Sequence, residues 1–257
     1  MEIETWMAWY KEILQNFGFD RKSDEESAEY LNDYLKNQFI NGDGNKKAIS
    51  FSDLPTRENI IVFGAGPSLK KHINRLKPKI SANTDQFILI SADGATTALI
   101  EENIVPHIIV TDLDGKLEDI LNANSQGAFL VVHSHGNNLD ALKSNLNNLK
   151  NVLGTTQSYS LEYVHNFGGF TDGDRCMFLA VELGAKNLIM AGMDFGEVVT
   201  KYSRPDMKDK VGPADDIKKL KLKYAERLVE WIAENEDVYI YNLVKKADFN
   251  FVFKNLF

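Results

Sequence analysis

The sequence predicts a doubly wound α/β domain with a mainly parallel sheet, preceded by an N-terminal helical cap. Three observations carry this expectation. Short, β-rich apolar runs recur from residue 58 onward and are separated by helix-length segments, the pattern of strands buried on both faces. Most of these runs end in turns of glycine, aspartate or histidine, and open parallel sheets bind ligands just beyond the carboxyl ends of their strands. Finally, 257 residues with 44% apolar and 26% charged side chains form an ordinary globular composition, long enough to bury a large core without staples. The single cysteine, Cys176, excludes an internal disulfide framework and fits a reducing, cytoplasmic compartment.

Taken in order, residues 1–40 read as two helices. Trp6, Trp9, Tyr10, Ile13 and Leu14 fall at helical spacing, the FGFD segment breaks the pattern, and Ser23 with Glu26 matches a capping box for the second helix. The polar, glycine-containing INGDGNKK stretch (40–47) divides the cap, residues 1–50, from the main α/β domain, residues 51–257. Strands are expected at 60–63, 87–92, 107–112, 128–133, 151–155, 187–192 and 238–242. Connecting helices are expected at 67–77, 95–103, 116–124, 138–149 and 173–184. A longer amphipathic helix at 214–235 aligns Leu220, Tyr224, Leu228 and Trp231. Before it, residues 201–216 are polar, hold two prolines and lack periodicity. They read either as a lid carrying Lys201, Arg204, Lys208 and Lys210 or as a solvated loop. Trp6, Trp9 and Trp231 offer a candidate homodimer surface.

Net charge is −8, spread as −4 over residues 1–50, −6 over 51–200 and +2 over 201–257. No region has the basic footprint of a nucleic-acid binder. No apolar run approaches the roughly 18–20 residues of a membrane span, and the first residues carry acids where a secretory signal needs bases. Neither nucleic acid nor membrane is therefore expected as a partner. An acidic surface can still handle a polyphosphate when a divalent cation bridges the two.

The strand-end turns hold the candidate chemistry. Gly64 and Gly66 permit a tight bend, Pro67 suits a first helical position, and Ser68 with the free N–H groups of that turn forms an expected anion site. Asp93 follows the second strand. Asp112 and Asp114 follow the third, two apart, beside Gly115, and two such carboxylates resist joint ionisation unless a cation lies between them. Asp172 is expected as a helix N-cap. His133 and His135 alternate across a strand end and can face one side, as substrate or phosphate contacts or as metal ligands. Asn137 and Asn138 add amide donors and acceptors suited to a heteroaromatic ring. Arg175 is a candidate phosphate clamp or an ion-pair partner of Asp172 or Asp174, and Lys116 invites the same two readings. Cys176 reads as a buried helix residue.

Together GAGPSL, SADGAT, IVPHIIVTDLDG, HSHGNN, FGGFTDGDR and GMDFG, in this order across residues 58–200, resemble the archaeal 6-hydroxymethyl-7,8-dihydropterin pyrophosphokinases of the MptE type, a family similar to the thiamine pyrophosphokinases. The resemblance implies a Rossmann-like, thiamine pyrophosphokinase-like fold. It implies a Mg2+-dependent transfer of diphosphate from ATP to the hydroxymethyl oxygen of a dihydropterin, releasing AMP, in cytoplasmic tetrahydromethanopterin or folate biosynthesis. Asp93, Asp112 and Asp114 then inherit metal or phosphate roles, Asp112 or Asp114 being also the candidate proton acceptor. Gly64, Gly66, Ser68, Lys116, Asp172, Asp174 and Arg175 inherit nucleotide contacts, Arg175 with a catalytic part. Asp93, His133, His135, Asn137, Asn138 and Asp194 inherit substrate contacts. One departure stands out: the family's histidine motif usually reads HxHGDN, and this chain has Asn137 in place of its aspartate. The competing readings are a thiamine-type pyrophosphokinase, a related flagellin-modifying glycosyltransferase (usually a longer chain), a hydrolase built on His133 and His135, and a non-catalytic nucleotide-binding module.

Overall fold

Five apolar runs become strands buried along nearly their whole length: β1 (Asn59–Phe63), β2 (Phe87–Ala92), β3 (Ile108–Thr111), β4 (Phe129–Ser134) and β5 (Val152–Thr156). The computed structural model describes residues 1–41 and 47–244, and in it these strands join β6 (Val164–His165), β7 (Asn187–Ala191) and β10 (Tyr239–Asn242) in one eight-stranded sheet. The order is β10-β7-β1-β2-β3-β4-β5-β6, and every pairing is parallel. The chain runs outward from β1 to β6 and then returns to pair β7 with the other side of β1. That reversal is the topological switch point at which open sheets form a crevice.

Strand alternation divides the core. Ile60 and Val62 face α1 (Ile3–Phe17), α7 (Asp172–Glu182) and α8 (Asp216–Asn235), while Ile61 and Phe63 face α3 (Leu69–Ala82) and α4 (Ala95–Ile100). A third cluster packs Ile109, Leu130, Val132 and Val152 against α2 (Arg21–Asn41), α5 (Leu117–Ser125) and α6 (Leu139–Asn145). The two N-terminal helices thus take part in the cores on opposite sheet faces. Trp6 is 1% exposed and donates its indole N–H to the Gln157 carbonyl at 2.8 Å. This corrects the expected dimer surface: Trp6 is core, Trp9 lies under the Arg227 guanidinium, and Trp231 packs on Phe178.

Helix boundaries show further corrections. Gly18, at φ +65°, ends α1 with its N–H on the Leu14 carbonyl, as the FGFD break implies. The next helix is capped by Asp20, not Ser23. The Asp20 carboxylate accepts from both the backbone N–H and the hydroxyl of Ser23, one turn ahead of the expected box. Pro67 lies in the turn before α3, which begins at Leu69 and accommodates Pro78 within it. Asp172 is not a cap either. Thr171 caps α7, with Asp174 closing a capping box onto the Phe170 and Thr171 amides. Residues 42–46 of the expected interdomain turn lie outside the described residues. Among the described residues, no helix is long and apolar enough to cross a membrane.

The segment 201–216, read from sequence as a lid or a solvated loop, supplies the second strand of a short antiparallel hairpin, β8 (Val198–Thr200) with β9 (Val211–Pro213). Thr200 donates its hydroxyl to the Ala65 carbonyl at 2.6 Å and pins the hairpin to the first glycine turn. A three-residue strand with one buried pair has too little periodicity to be read from sequence. Trp6→Ala is expected to lower the unfolding free energy by about 3–5 kcal/mol, read by urea denaturation. A loss below about 1 kcal/mol would show that α1 is dispensable to the core.

Candidate active site

The carboxyl ends of β1, β2, β3, β4 and β7 surround a cavity of about 410 Å³. Its deepest chemistry is acidic. Asp93 follows β2, Asp112 and Asp114 follow β3, and one oxygen from each lies within 4.8 Å of the others. The backbone enforces this convergence. Leu113 sits at φ +69° between the two β3 aspartates, a costly conformation for a branched side chain. Its N–H donates to the Thr111 hydroxyl, which in turn donates to Asp93. Gly115 is required on space alone: a Cβ there would lie 2.1 Å from Asp93 Oδ2.

Crowding sets the protonation. Burial pushes the Asp93 carboxyl up to about 8, with the Asp112 and Asp114 charges adding to the rise. Burial and the Asp112 charge take Asp114 to about 6. Burial also pushes Asp112 up, but the hydrogen bond from His135 outweighs it and holds this carboxyl at about 2. Asp172, from the first turn of α7, lines the same cavity and is pushed well above the ordinary range by burial and by these three neighbours. An all-oxygen donor set that cannot shed its mutual repulsion fits Mg2+, a hard cation taken by carboxylates and substrate phosphates.

The histidines differ in role. His135 Nε2 lies 3.0 Å from Asp112 Oδ2, and its Nδ1 accepts the Asn137 backbone N–H at 3.2 Å. That backbone contact fixes the proton on Nε2 and does not depend on the side chain at position 137, which lines the cavity. His133 is 1% exposed. Its Nδ1 lies 3.0 Å from Arg175 Nη1, and a guanidinium only donates, so the His133 proton sits on Nε2. That buried Nε2–H has no hydrogen-bond partner among the described residues. Arg175 also donates to Gln157 Oε1 and to the Phe170 carbonyl, and it lines the cavity wall with its donors largely engaged. Gln157 passes the network to Asp24 of α2, which further accepts from Tyr10 and from the Gly136 N–H at 2.7 Å.

The first glycine turn departs from the expected anion cradle. Gly64 N–H donates to Ala191, Gly66 N–H to Gly192, and both the N–H and the hydroxyl of Ser68 donate to Asp194 Oδ2. The turn is tied to the end of β7, and these donors are used internally. A Cβ on Gly66 would meet Asp194 Oδ2 at 2.1 Å. Gly64, Gly66 and Asp194 line the cavity; Ser68, Lys116, Asn138 and Asp174 do not. Lys116 pairs with Asp119 at 3.2 Å, and the Asn138 amide holds the Asp112 and His133 carbonyls. Asp174 serves the capping box of α7.

Sequence reasoning missed four contributors. Lys218 and Lys221 enter the cavity wall from the first turns of α8, and Phe19 with Phe170 supplies an apolar side. The expected lid bases, Lys201, Arg204, Lys208 and Lys210, stay outside the lining, and Arg204 pairs with Asp215. The available signal was the i, i+3 spacing of Lys218 and Lys221 beside the apolar stripe at Leu220 and Tyr224.

The raised Asp93 carboxyl gives a testable sign. Its folded pKa, about 8, exceeds the unfolded value, so its contribution to stability is lost as pH rises through about 8. In EDTA, thermal unfolding should therefore shift downward between about pH 7 and about pH 9, a range in which unfolded histidines are already neutral. Asp93→Asn should remove that slope, and Mg2+ should stabilise wild type more at the upper end. An Asp93→Asn variant with the same slope would contradict the assignment.

Comparison with known proteins places this geometry in a family. The description "6-hydroxymethylpterin diphosphokinase MptE-like" matches residues 33–200. Curated proteins named 6-hydroxymethyl-7,8-dihydropterin pyrophosphokinase are similar over nearly their whole lengths. The one from Methanothermobacter thermautotrophicus is 55% identical over 93% of this chain and 99% of its own. Those from Methanocaldococcus jannaschii and Pyrococcus furiosus are 44% and 40% identical, over 93% and 91% of this chain and 98% and 96% of their own. A solved MAf glycosyltransferase from Magnetospirillum magneticum AMB-1 shares 18% identity and a TM-score of 0.48, over 78% of this chain and 34% of its own, too distant to bear on function. With the family match spanning most of the sheet and the site, the chain belongs to the MptE-like 6-hydroxymethylpterin diphosphokinase family.

Proposed function

We propose that this chain transfers diphosphate from ATP to the hydroxymethyl oxygen of 6-hydroxymethyl-7,8-dihydropterin, releasing AMP, with Asp93, Asp112 and Asp114 holding Mg2+. The observation that carries the proposal is the shared name of three curated relatives, 40–55% identical to at least 91% of the chain. The reaction belongs to tetrahydromethanopterin or folate biosynthesis, in a reducing cytoplasm where Cys176 remains a buried thiol.

The hydroxymethyl oxygen attacks the β-phosphorus of ATP, the bond from that phosphorus to the α,β-bridging oxygen breaks, and AMP leaves with the oxygen. When bound, Mg2+ neutralises charge on phosphoryl oxygens and orients the reactants. The chain's own part is positioning and electrostatics. His135 holds Asp112 ionised and aimed at the cavity. The buried Nε2–H of His133, fixed by Arg175, is a donor for a ligand oxygen. The exposed carboxylate of Asp114 is the acceptor for the alcohol proton late in the transfer. Phe19 and Phe170 give the heteroaromatic ring an apolar face.

The test is AMP release from ATP and Mg2+ in the presence of 6-hydroxymethyl-7,8-dihydropterin, with thiamine as parallel acceptor. Pterin-dependent AMP is expected, lost in EDTA and lowered about 10²-fold or more by Asp112→Asn. AMP formed with thiamine alone, or activity untouched in Asp112→Asn, would overturn the proposal.

A further inference from the structure

The cavity has a charge problem that the acidic triad does not solve by itself. Asp20, Asp24, Asp93, Asp112, Asp114, Asp172 and Asp194 all line it, whereas the lysine and arginine side chains in its wall, among the described residues, are Arg175, Lys218 and Lys221. A nucleoside triphosphate brings several more negative charges. One divalent ion on the triad offsets part of this, and the remaining phosphate oxygens need cationic donors with free N–H groups.

Arg175 has little to offer, since its guanidinium is held by His133, Gln157 and the Phe170 carbonyl. The Gly64, Gly66 and Ser68 amides are spent on Ala191, Gly192 and Asp194. Lys116 and Arg204 are paired away from the cavity. Lys218 and Lys221 differ from all of these. Neither side-chain ammonium has an ion-pair or hydrogen-bond partner among the described residues, and both lysines are partly buried in the cavity wall. The Lys221 ammonium lies 5.7 Å from the ring centres of both Phe19 and Phe170, so aromatic faces shape its approach while supplying no acceptor for its protons. Burial and the Lys218 charge press the Lys221 ammonium down from its ordinary pKa, while Asp112, Asp172 and Asp114 pull it back up. An ammonium held in such surroundings gains from an anionic oxygen placed between it and the carboxylates. Three residues apart in the first two turns of α8, the two lysines present their charges from one helix face, opposite strand ends that carry the triad.

We infer that Lys218 and Lys221 are the side chains that bind the β- and γ-phosphates of the nucleotide, closing the triphosphate against the cation held by the triad. This rests on the transfer proposed above. It assigns phosphate recognition to α8, a helix that neither the strand-end motifs nor the glycine turn includes. Because the two lysines meet the terminal phosphates, they discriminate a nucleoside triphosphate from a monophosphate.

The test is calorimetric titration of the full chain, with Mg2+, by α,β-methylene ATP, AMP and 6-hydroxymethyl-7,8-dihydropterin, for wild type, Lys218→Met and Lys221→Met. Each substitution is expected to weaken the triphosphate about ten- to a hundredfold, with AMP affinity within about twofold in both variants, pterin affinity within about twofold in Lys218→Met, and thermal unfolding unchanged. Equal losses for the triphosphate and AMP would overturn the inference, as would unaltered triphosphate binding in both variants. If a variant unfolds, Lys218→Gln and Lys221→Gln give the same readout. Wild-type protein that binds the triphosphate but yields no AMP with the pterin overturns the transfer reading and leaves the phosphate assignment standing on its own titration.

Discussion

Four carboxyls from two strand ends and one helix start are forced into one crevice, and their mutual repulsion is the constraint around which the rest of this site is arranged. Asp93, Asp112, Asp114 and Asp172 disturb one another's protonation in opposite directions, one held near 2 and another near 8. A fold selected for stability alone has no reason to hold such a group, since each buried charge costs desolvation that the others worsen. The surrounding structure keeps it in place through a left-handed Leu113, a Thr111 bridge and a Gly115 that leaves room for nothing larger. Strain and charge at one locus are what a site pre-organised for a cation looks like.

The scaffold supports this group from both faces of the sheet. The N-terminal helices contribute more than coverage. Asp24 gathers Tyr10, Gln157 and the Gly136 amide, and through Gln157 it fixes Arg175, which sets the tautomer of His133. Arg175 is thus a positioning residue in a chain that runs from α2 to the end of β4. At the other side of the crevice, the β8-β9 hairpin leans on the glycine turn. A Cβ at Gly94 would strike the Tyr202 carbonyl at 1.7 Å, so the ADGA turn after β2 must stay small for the hairpin to sit there.

Much of this was legible in the sequence, because parallel strands buried on both faces are written as continuous apolar runs, and the turns after them are free to carry chemistry. The seven expected strands are all present, and Asp93 converges with the Asp112 and Asp114 pair, a grouping that only the family resemblance implied. What sequence could not supply was hydrogen-bond accounting in three dimensions. Gly64, Gly66 and Ser68 had the composition of an anion cradle, yet Asp194, 126 residues further on than Ser68, takes the Ser68 donors. Asp172 reads as a cap because it opens the helical segment DGDRCMFLAVELG, but Thr171 and Asp174 form the reciprocal pair and leave Asp172 to the cavity. Lys218 and Lys221 lie on a helix whose apolar stripe accounts for it, so their i, i+3 spacing beside that stripe is easily passed over. Short strands such as β6, β8 and β9 fall below the length at which alternation can be recognised.

We propose that the carboxyl cluster is a cation site that nucleotide binding completes. Mn2+ titration followed by electron paramagnetic resonance tests it most directly, because bound Mn2+ loses its sharp solution signal. The account predicts one site in wild type, tightened by α,β-methylene ATP and lost in Asp93→Asn and Asp112→Asn while both variants stay folded. Mn2+ binding that is unchanged in those two variants, or indifferent to the nucleotide, would contradict it.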